Sequence, residues 1–304
     1  MEREKPLIVI TGPTAAGKTD FSIKLAKAIG GEIISADSMQ VYRELDIGTD
    51  KISSDRMEGI PHHLIDIVYP DVYFSVADFV KEADRAIREI RKRGKFPLIV
   101  GGTAFYIRAL LYGLSPVPPA DESIRRELSK VSTEELYSSL KKVDPGYASK
   151  IHKTDRKRII RALEVYKLTG KPLSSFKLPE KPRYEFYGYF LYRNRDELYK
   201  RINNRVDSQI ERGLVQEARK LLSYGKGITA FQALGYKELL PYIEGKVSLE
   251  EAVRDLKRRT RQFAKRQFTW FRREKGFKWI NLSEIPEEEV INVIKDDLRK
   301  GGVL

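Results

Sequence analysis

Leu7-Ile8-Val9-Ile10-Thr11-Gly12-Pro13-Thr14-Ala15-Ala16-Gly17-Lys18-Thr19 carries an apolar run directly into a loop with glycine at 12 and 17, lysine at 18 and threonine at 19. Gly12 to Thr19 meets the G-x-x-x-x-G-K-[ST] pattern at every fixed position, and Phe21, Leu25, Ala28 and Ile29 follow at the spacing of one helix face. Strand, glycine-rich turn and helix in that order aim successive backbone N–H groups and the positive end of a helix dipole at one concave spot. Gly12, Pro13, Thr14, Ala15, Ala16, Gly17, Lys18 and Thr19 are therefore the expected cradle for a polyphosphate. Lys18 adds a mobile cation, and Thr19 is the expected hydroxyl ligand of a Mg²⁺ ion.

Working outward from this loop, short apolar runs alternate with helical patterns. Residues 7–11, 32–36, 64–68 and 96–100 read as strands, and 76–93 reads as a helix with Phe79, Val80, Ala83, Ile87 and Ile90 on one side. A parallel sheet with crossover helices follows, an α/β fold of the P-loop NTPase-like kind. The prolines and glycine between Gly113 and Asp121 mark an exit from that core, helices then dominate, and a second punctuated stretch runs from Thr169 through Pro182. Residues 185–192 read as a strand again. The expected organisation is a core of residues 1–116 and 185–304, ending in basic helices, with an inserted all-helical domain at 117–184.

Composition sets the surroundings. The 304 residues suggest about two domains, and an apolar share of 41% is enough for a buried core. No segment is long and apolar enough to cross a bilayer, and the start, Met1 to Pro6, lacks the apolar run of a secretory leader, so a cytoplasmic protein with no membrane partner is expected. The absence of cysteine excludes disulfides, thiolate metal sites and cysteine nucleophiles. The formal charge of +14 points to a polyanionic partner, above all because Arg254 to Lys275 holds ten Lys or Arg against two acids. Phe263, Phe268, Trp270 and Phe271 are interleaved with those cations. At helical spacing Leu256, Phe263 and Phe271 are expected on the core, leaving the arginines to meet phosphates.

Several clusters admit two readings. Asp37 follows the second strand, at the sheet edge where open parallel sheets place ligand chemistry. It reads either as a base or orienting carboxylate, or as an Asx turn or helix cap. Gly101-Gly102-Thr103 follows the run 98–100 in the same way, and the strand ends without the metal-supporting carboxylate of many phosphate-loop enzymes, which speaks against ATP hydrolysis. His62 and His63 are adjacent on an extended stretch, so they point to opposite faces and do not share a metal. Arg201 and Arg205 lie four apart on a helix expected over 196–212, with Leu198, Ile202, Val206 and Ile210 as its buried stripe; they either clamp a diphosphate or pair with acids. Arg156, Lys157, Arg158 and Arg161 read as the solvated face of a helix packed through Ile159, Ile160, Leu163 and Tyr166.

Taken in order, Gly12 to Thr19, Asp37-Ser38-Met39-Gln40-Val41-Tyr42, Asp46-Ile47-Gly48-Thr49, Pro61 to Asp66, Gly101-Gly102-Thr103, Arg158 with Arg161 to Val165, Gly235-Tyr236-Lys237-Glu238, and Ala264-Lys265-Arg266-Gln267 with Thr269-Trp270 resemble the tRNA dimethylallyltransferases, or tRNA isopentenyltransferases, over nearly the whole chain. Arg156 and Lys157 depart from a Pro-Gln pair common in that family. The resemblance implies transfer of a dimethylallyl group from dimethylallyl diphosphate to N6 of the adenosine 3′ of the anticodon. It assigns catalysis to Asp37, Thr103 and Arg205, with Asp37 accepting an N6 hydrogen and Thr103 orienting either the amine or a diphosphate oxygen. It assigns the tRNA anticodon stem-loop to Asp37, Ser38, Met39, Gln40, Thr103, Arg125, Lys157, Arg158, Ile159, Ile160 and Arg161, with the inserted domain reaching over the stem, and the basic run adds Arg261, Lys265 and Arg266 as expected tRNA contacts. A monomer is the expected state. The competing reading is an ATP-dependent kinase of the nucleotide or shikimate type, which shares the loop, the sheet and an inserted lid but has no use for a basic aromatic helix. A non-catalytic RNA-binding module would tolerate loss of Lys18 and Asp37, and both are present.

Overall fold

The computed structural model describes residues 4–225 and 227–304; Met1, Glu2 and Arg3, at the head of the stretch read for a leader, lie outside the described residues. The chain divides into two compact units, Met1–Leu111 with Arg183–Leu304, and Tyr112–Pro182. Chain order runs β1 (Leu7–Thr11), α1 (Lys18–Ile29), β2 (Gly31–Ser35), β3 (His62–His63), α2 (Val76–Lys92), β4 (Phe96–Gly101) and α3 (Ala104–Tyr112). Four helices follow in the second unit: α4 (Glu122–Ser129), α5 (Thr133–Val143), α6 (Pro145–Ala148) and α7 (Arg156–Thr169). The first unit resumes with β5 (Phe186–Tyr192), α8 (Arg195–Glu211), α9 (Leu214–Leu222), α10 (Tyr236–Ile243), α11 (Leu249–Phe271), β6 (Phe277–Asn281) and α12 (Glu287–Lys300).

The strands form one parallel sheet in the order β3-β2-β4-β1-β5-β6. Ile8 of β1 stands opposite Leu98 on one side and Tyr187 on the other. Every residue of β1, β2 and β4 is buried, as strands covered on both faces must be. On one face Ile8, Ile10, Ile33 and Leu98 pack with Phe21 and Leu25 of α1 and with Ile294 and Leu298 of α12. Phe79, Ala83, Ile87 and Ile90 are the buried stripe of α2, whose start is set by a reciprocal Ser75 and Asp78 capping box. Parallel pairing brings the carboxyl ends of β1, β2 and β4 to one edge, so the loops at 12–17, 36–40 and 102–103 meet there.

Three expectations are corrected. No strand forms over 64–68: Leu64 and Asp66 take φ of +62° and +56°, and two left-handed residues break the pleat. The sheet edge is His62–His63 instead, and Val68 makes an isolated bridge with Tyr42. In α8 the fourth buried position is Gln209, not Ile210; its Nε2 donates to the Ile47 and Gly48 carbonyls at 2.8 and 3.1 Å, which makes burial of the amide tolerable. In α7 the buried set is Ile159, Ala162, Leu163, Glu164 and Val165, with Tyr166 exposed.

The basic residues of α7 are not a uniformly solvated face either. Arg156 donates to the carbonyls of Ser129 and Val131 at 2.8 and 2.7 Å. Arg161 donates to the Pro118 carbonyl at 2.6 Å and to Glu164 at 2.5 Å, and Arg125 reaches the other oxygen of Glu164 at 2.8 Å. Glu164 has no solvent exposure and also accepts the Asp121 N–H. Burial alone would raise its pKa, but the two guanidiniums and that N–H hold it below the ordinary carboxylate value.

Candidate active site

Where β1 ends, the chain passes so close to β5 that a Cβ on Gly12, at φ +149°, would lie 2.0 Å from the Leu191 carbonyl oxygen. Gly17, at φ +104°, is the N-cap of α1, and the residues between them wrap around the amino end of that helix. Lys18 folds back over the loop, its Nζ donating to the Gly12 and Pro13 carbonyls at 3.0 and 2.8 Å. Desolvation and the nearby Arg205 push its pKa down to about 8, against an upward pull from Asp37. From the other side three arginines take up the outer oxygens of the loop. Arg193 Nε donates to Ala16 O at 2.9 Å, Arg201 Nε to Ala15 O at 2.8 Å, and Arg205 Nη1 to Thr14 Oγ1 at 3.1 Å. Arg201 therefore grips backbone. Arg205 reaches the cavity wall and pairs with Asp50 at 3.5 Å.

The loop forms one wall of a cavity of about 340 Å³. Thr14, Lys18 and Thr19 of the loop line it together with Asp37 to Gln40, Gly102 and Thr103 from the neighbouring strand ends, and with Arg205, Phe263, Arg266 and Gln267. Asp37 forms the Asx turn, Oδ1 accepting the Met39 N–H at 2.9 Å, and Oδ2 has no hydrogen-bond partner among the described residues. The turn thus orients the carboxylate and leaves one oxygen for a ligand. Thr103 Oγ1 accepts the Ser38 N–H at 3.0 Å. Gly101 is required beside it, because a Cβ there would lie 2.2 Å from the Ala36 carbonyl oxygen.

Phe263, expected on the core, is half-buried and lines the cavity, with the Arg266 guanidinium 5.7 Å from its ring centre. The buried stripe of α11 is Ala252, Leu256, Thr260, Ala264, Gln267 and Phe271, which turns Phe263 toward the cavity. Gln267 is a cavity residue to which the sequence reading gave no role, although a polar member of a mostly small or apolar stripe was the available signal. Its Oε1 accepts the Thr14 N–H and its Nε2 donates to Gly102 O, both at 2.9 Å. Glu217 was also missed. Its carboxylate accepts the N–H groups of Asp46, Ile47 and Gly48 at 2.9 Å and the Tyr236 hydroxyl at 2.7 Å, and so shapes the loop whose Thr49 carbonyl faces Arg205 and Gln40.

The remaining predicted residues separate. Arg261 donates to Asn203 Oδ1 at 2.7 Å, Arg266 lines the main cavity, and Lys265 lines a second hollow beside Tyr199 and Phe268. Arg254, Lys257, Arg258 and Arg259 are paired with acids, whereas Lys265, Arg266 and Arg272 have no acidic partner among the described residues. In the second unit Lys157 and Arg158 are exposed, Ile160 is half-buried, and the Ile159 side chain lies in the core, offering no surface. His62 Nδ1 bonds the Ile60 carbonyl and His63 Nε2 bonds Glu32, each at 2.8 Å. Among the described residues no group of three or more His, Asp or Glu is placed to hold a metal. Thr19 Oγ1, without a protein partner among the described residues and beside Lys18 on the cavity wall, suits a hard cation that takes most of its oxygens from a phosphate ligand. No helix among the described residues is long and apolar enough to cross a membrane.

Comparison with known proteins places this geometry in context. The profile of the family described as IPP transferase matches residues 40–274, and that described as isopentenyl transferase matches 5–68. The chain is 48% identical over 293 residues to a tRNA dimethylallyltransferase of a Sulfurihydrogenibium species, covering 95% of both chains. It is 50% identical to the one of Carboxydothermus hydrogenoformans, covering 95% of this chain and 96% of that one. Among solved structures it resembles the tRNA isopentenylpyrophosphate transferase of Bacillus halodurans, with 44% identity, 98% of each chain covered and a TM-score of 0.75. It also resembles a eukaryotic dimethylallyltransferase acting on tRNA, with 32% identity, 97% and 80% covered and a TM-score of 0.84.

Proposed function

The chain belongs to the IPP transferase family of tRNA dimethylallyltransferases, and we propose that it moves a dimethylallyl group from dimethylallyl diphosphate to N6 of the adenosine immediately 3′ of the anticodon, releasing diphosphate. The observation that carries this reading is a single cavity lined both by a phosphate-loop cradle and by a half-satisfied carboxylate, Asp37. An allylic diphosphate presents to the loop the same paired phosphates as a nucleotide, and no nucleoside pocket is needed.

In the reaction the N6 lone pair forms a bond to the allylic carbon as the bond from that carbon to the diphosphate oxygen breaks, and the displaced N6 proton passes to Asp37. Adenine N6 is a weak nucleophile because its lone pair is delocalised, and a carboxylate accepting its hydrogen restores electron density. Lys18, the loop N–H groups and Arg205 stabilise the charge that grows on the leaving diphosphate; one such oriented donor contributes about 3 to 4 kcal/mol. Thr19 would hold Mg²⁺ together with diphosphate oxygens, and the chemistry the ion supplies is neutralisation of that charge. Thr103, tied to the Ser38 N–H, orients the acceptor side.

The base must leave its stack to reach Asp37, at a cost of a few kcal/mol that is smallest in an unpaired loop. Ser38, Met39, Gln40 and Arg266 would meet the everted nucleotide. Lys265 and Arg261, and in the helical unit Arg125, Lys157, Arg158 and Arg161, would meet the rest of the anticodon stem-loop, with Arg125 and Arg161 anchored through Glu164. The protein acts as a cytoplasmic monomer in this reading. The kinase alternative is not favoured, since the relatives named above are dimethylallyltransferases over nearly the full chain.

The test is incubation of an unmodified anticodon stem-loop with labelled dimethylallyl diphosphate or, separately, labelled ATP. Label reaches RNA from the first donor alone. Asp37→Ala abolishes transfer and leaves tRNA affinity within about threefold; incorporation from ATP, or equal loss of binding and transfer, refutes the assignment.

A further inference from the structure

Gln267 bonds to two parts of the molecule that lie 253 and 165 residues away from it in sequence. Its side chain leaves α11, the helix that carries Lys265 and Arg266, and is 4% exposed. One end accepts the Thr14 N–H of the phosphate cradle and the other donates to the Gly102 carbonyl, immediately before Thr103. The orientation of the amide is unambiguous, since an N–H must face oxygen and a carbonyl must face NH₂. Thr14 is itself the meeting point of two helices, because its hydroxyl accepts from Arg205 of α8. Gly102 has no room for a side chain: a Cβ there would lie 2.2 Å from Gln267 Nε2. The hydrogen bonds continue from Gly102 and Thr103 to the Ser38 N–H, next to Asp37.

We propose that Gln267 is a positioning residue that sets the separation between the diphosphate cradle at Thr14 and the acceptor-orienting turn at Gly102 and Thr103. It borders the cavity, but in this role it acts through Thr14 and Gly102 and not on the reacting atoms. Its two bonds fix the gap across which the allylic carbon and N6 must meet, and they fasten that gap to the helix that faces RNA. Because a misplacement of about 1 Å costs about 100-fold in rate, loss of the brace is read in turnover more than in ligand affinity. This rests on the cradle being a diphosphate site, and the test below separates failure of that premise from failure of the brace.

The decisive variant is Gln267→Glu. A protonated carboxyl is isosteric with the amide and reproduces both bonds, its carbonyl accepting from Thr14 and its O–H donating to Gly102 O. An ionised carboxylate keeps the bond from the Thr14 N–H but sets an acceptor oxygen against Gly102 O, and puts negative charge beside the cradle. Burial raises the pKa of such a group, so the protonated form persists toward neutral pH. We expect Gln267→Ala to lower kcat about 100-fold with KM for the prenyl donor changed less than about fivefold. The ratio of Gln267→Glu to wild-type kcat should rise at least tenfold as pH falls from 9 to 6, the same protein regaining function on acidification. Binding of inorganic diphosphate with Mg²⁺, measured by calorimetry, is the independent readout: wild type binds, and Gln267→Glu binds more weakly at pH 9 than at pH 6 relative to wild type. A constant kcat ratio across that range, or wild-type kcat in Gln267→Ala, overturns the brace. Absence of diphosphate binding to wild type overturns the premise instead.

Discussion

Raising the pH from 7 to 9 should weaken diphosphate binding about tenfold through Lys18 alone. In the ligand-free cradle its pKa is pushed down to about 8, first by desolvation and then by Arg205. The ammonium form is then about nine-tenths populated at pH 7 and about one-tenth at pH 9. A diphosphate beside Nζ favours the charged form and returns the pKa toward the ordinary lysine value, so binding takes up a proton above pH 8. The sign follows: the ligand selects the protonated state, and that state is lost as pH rises. The tenfold fall corresponds to about 1.4 kcal/mol. Calorimetric titration of inorganic diphosphate in the presence of Mg²⁺, repeated in buffers of different ionisation enthalpy, measures both affinity and proton uptake. Lys18→Arg provides the reference, because a guanidinium stays charged throughout. Ionisation of the ligand itself is common to both proteins and cancels in the ratio of their affinities. Arg205→Ala removes the second cause of the depression and moves the inflection to higher pH, whereas Asp37→Asn removes the opposing pull and moves it lower. An affinity ratio between wild type and Lys18→Arg that is flat from pH 7 to 9 would refute the reasoning.

Thr19→Ala should raise the Mg²⁺ concentration needed for half-maximal transfer, and an unchanged metal titration would remove Thr19 from the ion's ligands. Replacing Arg261, Lys265 and Arg266 together by alanine should weaken tRNA binding and flatten its salt dependence. Each phosphate contact contributes about 0.7 to 0.9 to the log–log slope, and Arg261 already holds Asn203, so a decrease of about 1.5 to 2 is expected; an identical slope puts the RNA elsewhere. Glu164→Ala leaves two guanidiniums without their shared buried acceptor and should destabilise the helical unit by about 3 to 5 kcal/mol, seen as a lower unfolding temperature in calorimetry. The folded-state pKa of Glu164 is depressed, so its contribution is present above the unfolded carboxylate value and fades as pH falls through the folded one. The gap between variant and wild type should therefore narrow in acid, and a pH-independent gap would deny the ionised carboxylate this role.

What could be read along the chain was what is local. The phosphate loop is contiguous, and both its glycines and its flanking strand and helix are sequence neighbours, so cradle and topology were legible together. Asp37 and Thr103 could be placed because strand ends of a parallel sheet share an edge. Misreadings arose where a partner lies far off in sequence. The apolar run at 64–68 is interrupted by left-handed backbone at Leu64 and Asp66 that hydropathy does not register. Arg125 and Arg161 look like exposed cations until Glu164 is seen between them. Phe263 leaves its expected place on the core, and Gln267 is buried in the stripe, because helical spacing fixes a stripe only once its angular phase is known, and the phase of α11 is set by Ala264 and Phe271.

Glu217 has a consequence for how an anion meets this surface. Asp46, Ile47 and Gly48 point three successive amides at one spot, the same device as the phosphate loop, and the carboxylate of Glu217 stoppers it. Because the stopper is tethered to the same fold, its effective concentration far exceeds that of any phosphate in solution. In a chain of charge +14 the turn at 46–48 is thus an anion-shaped nest already filled from within, whereas no carboxylate among the described residues accepts the amides of the loop at 12–17 in that way.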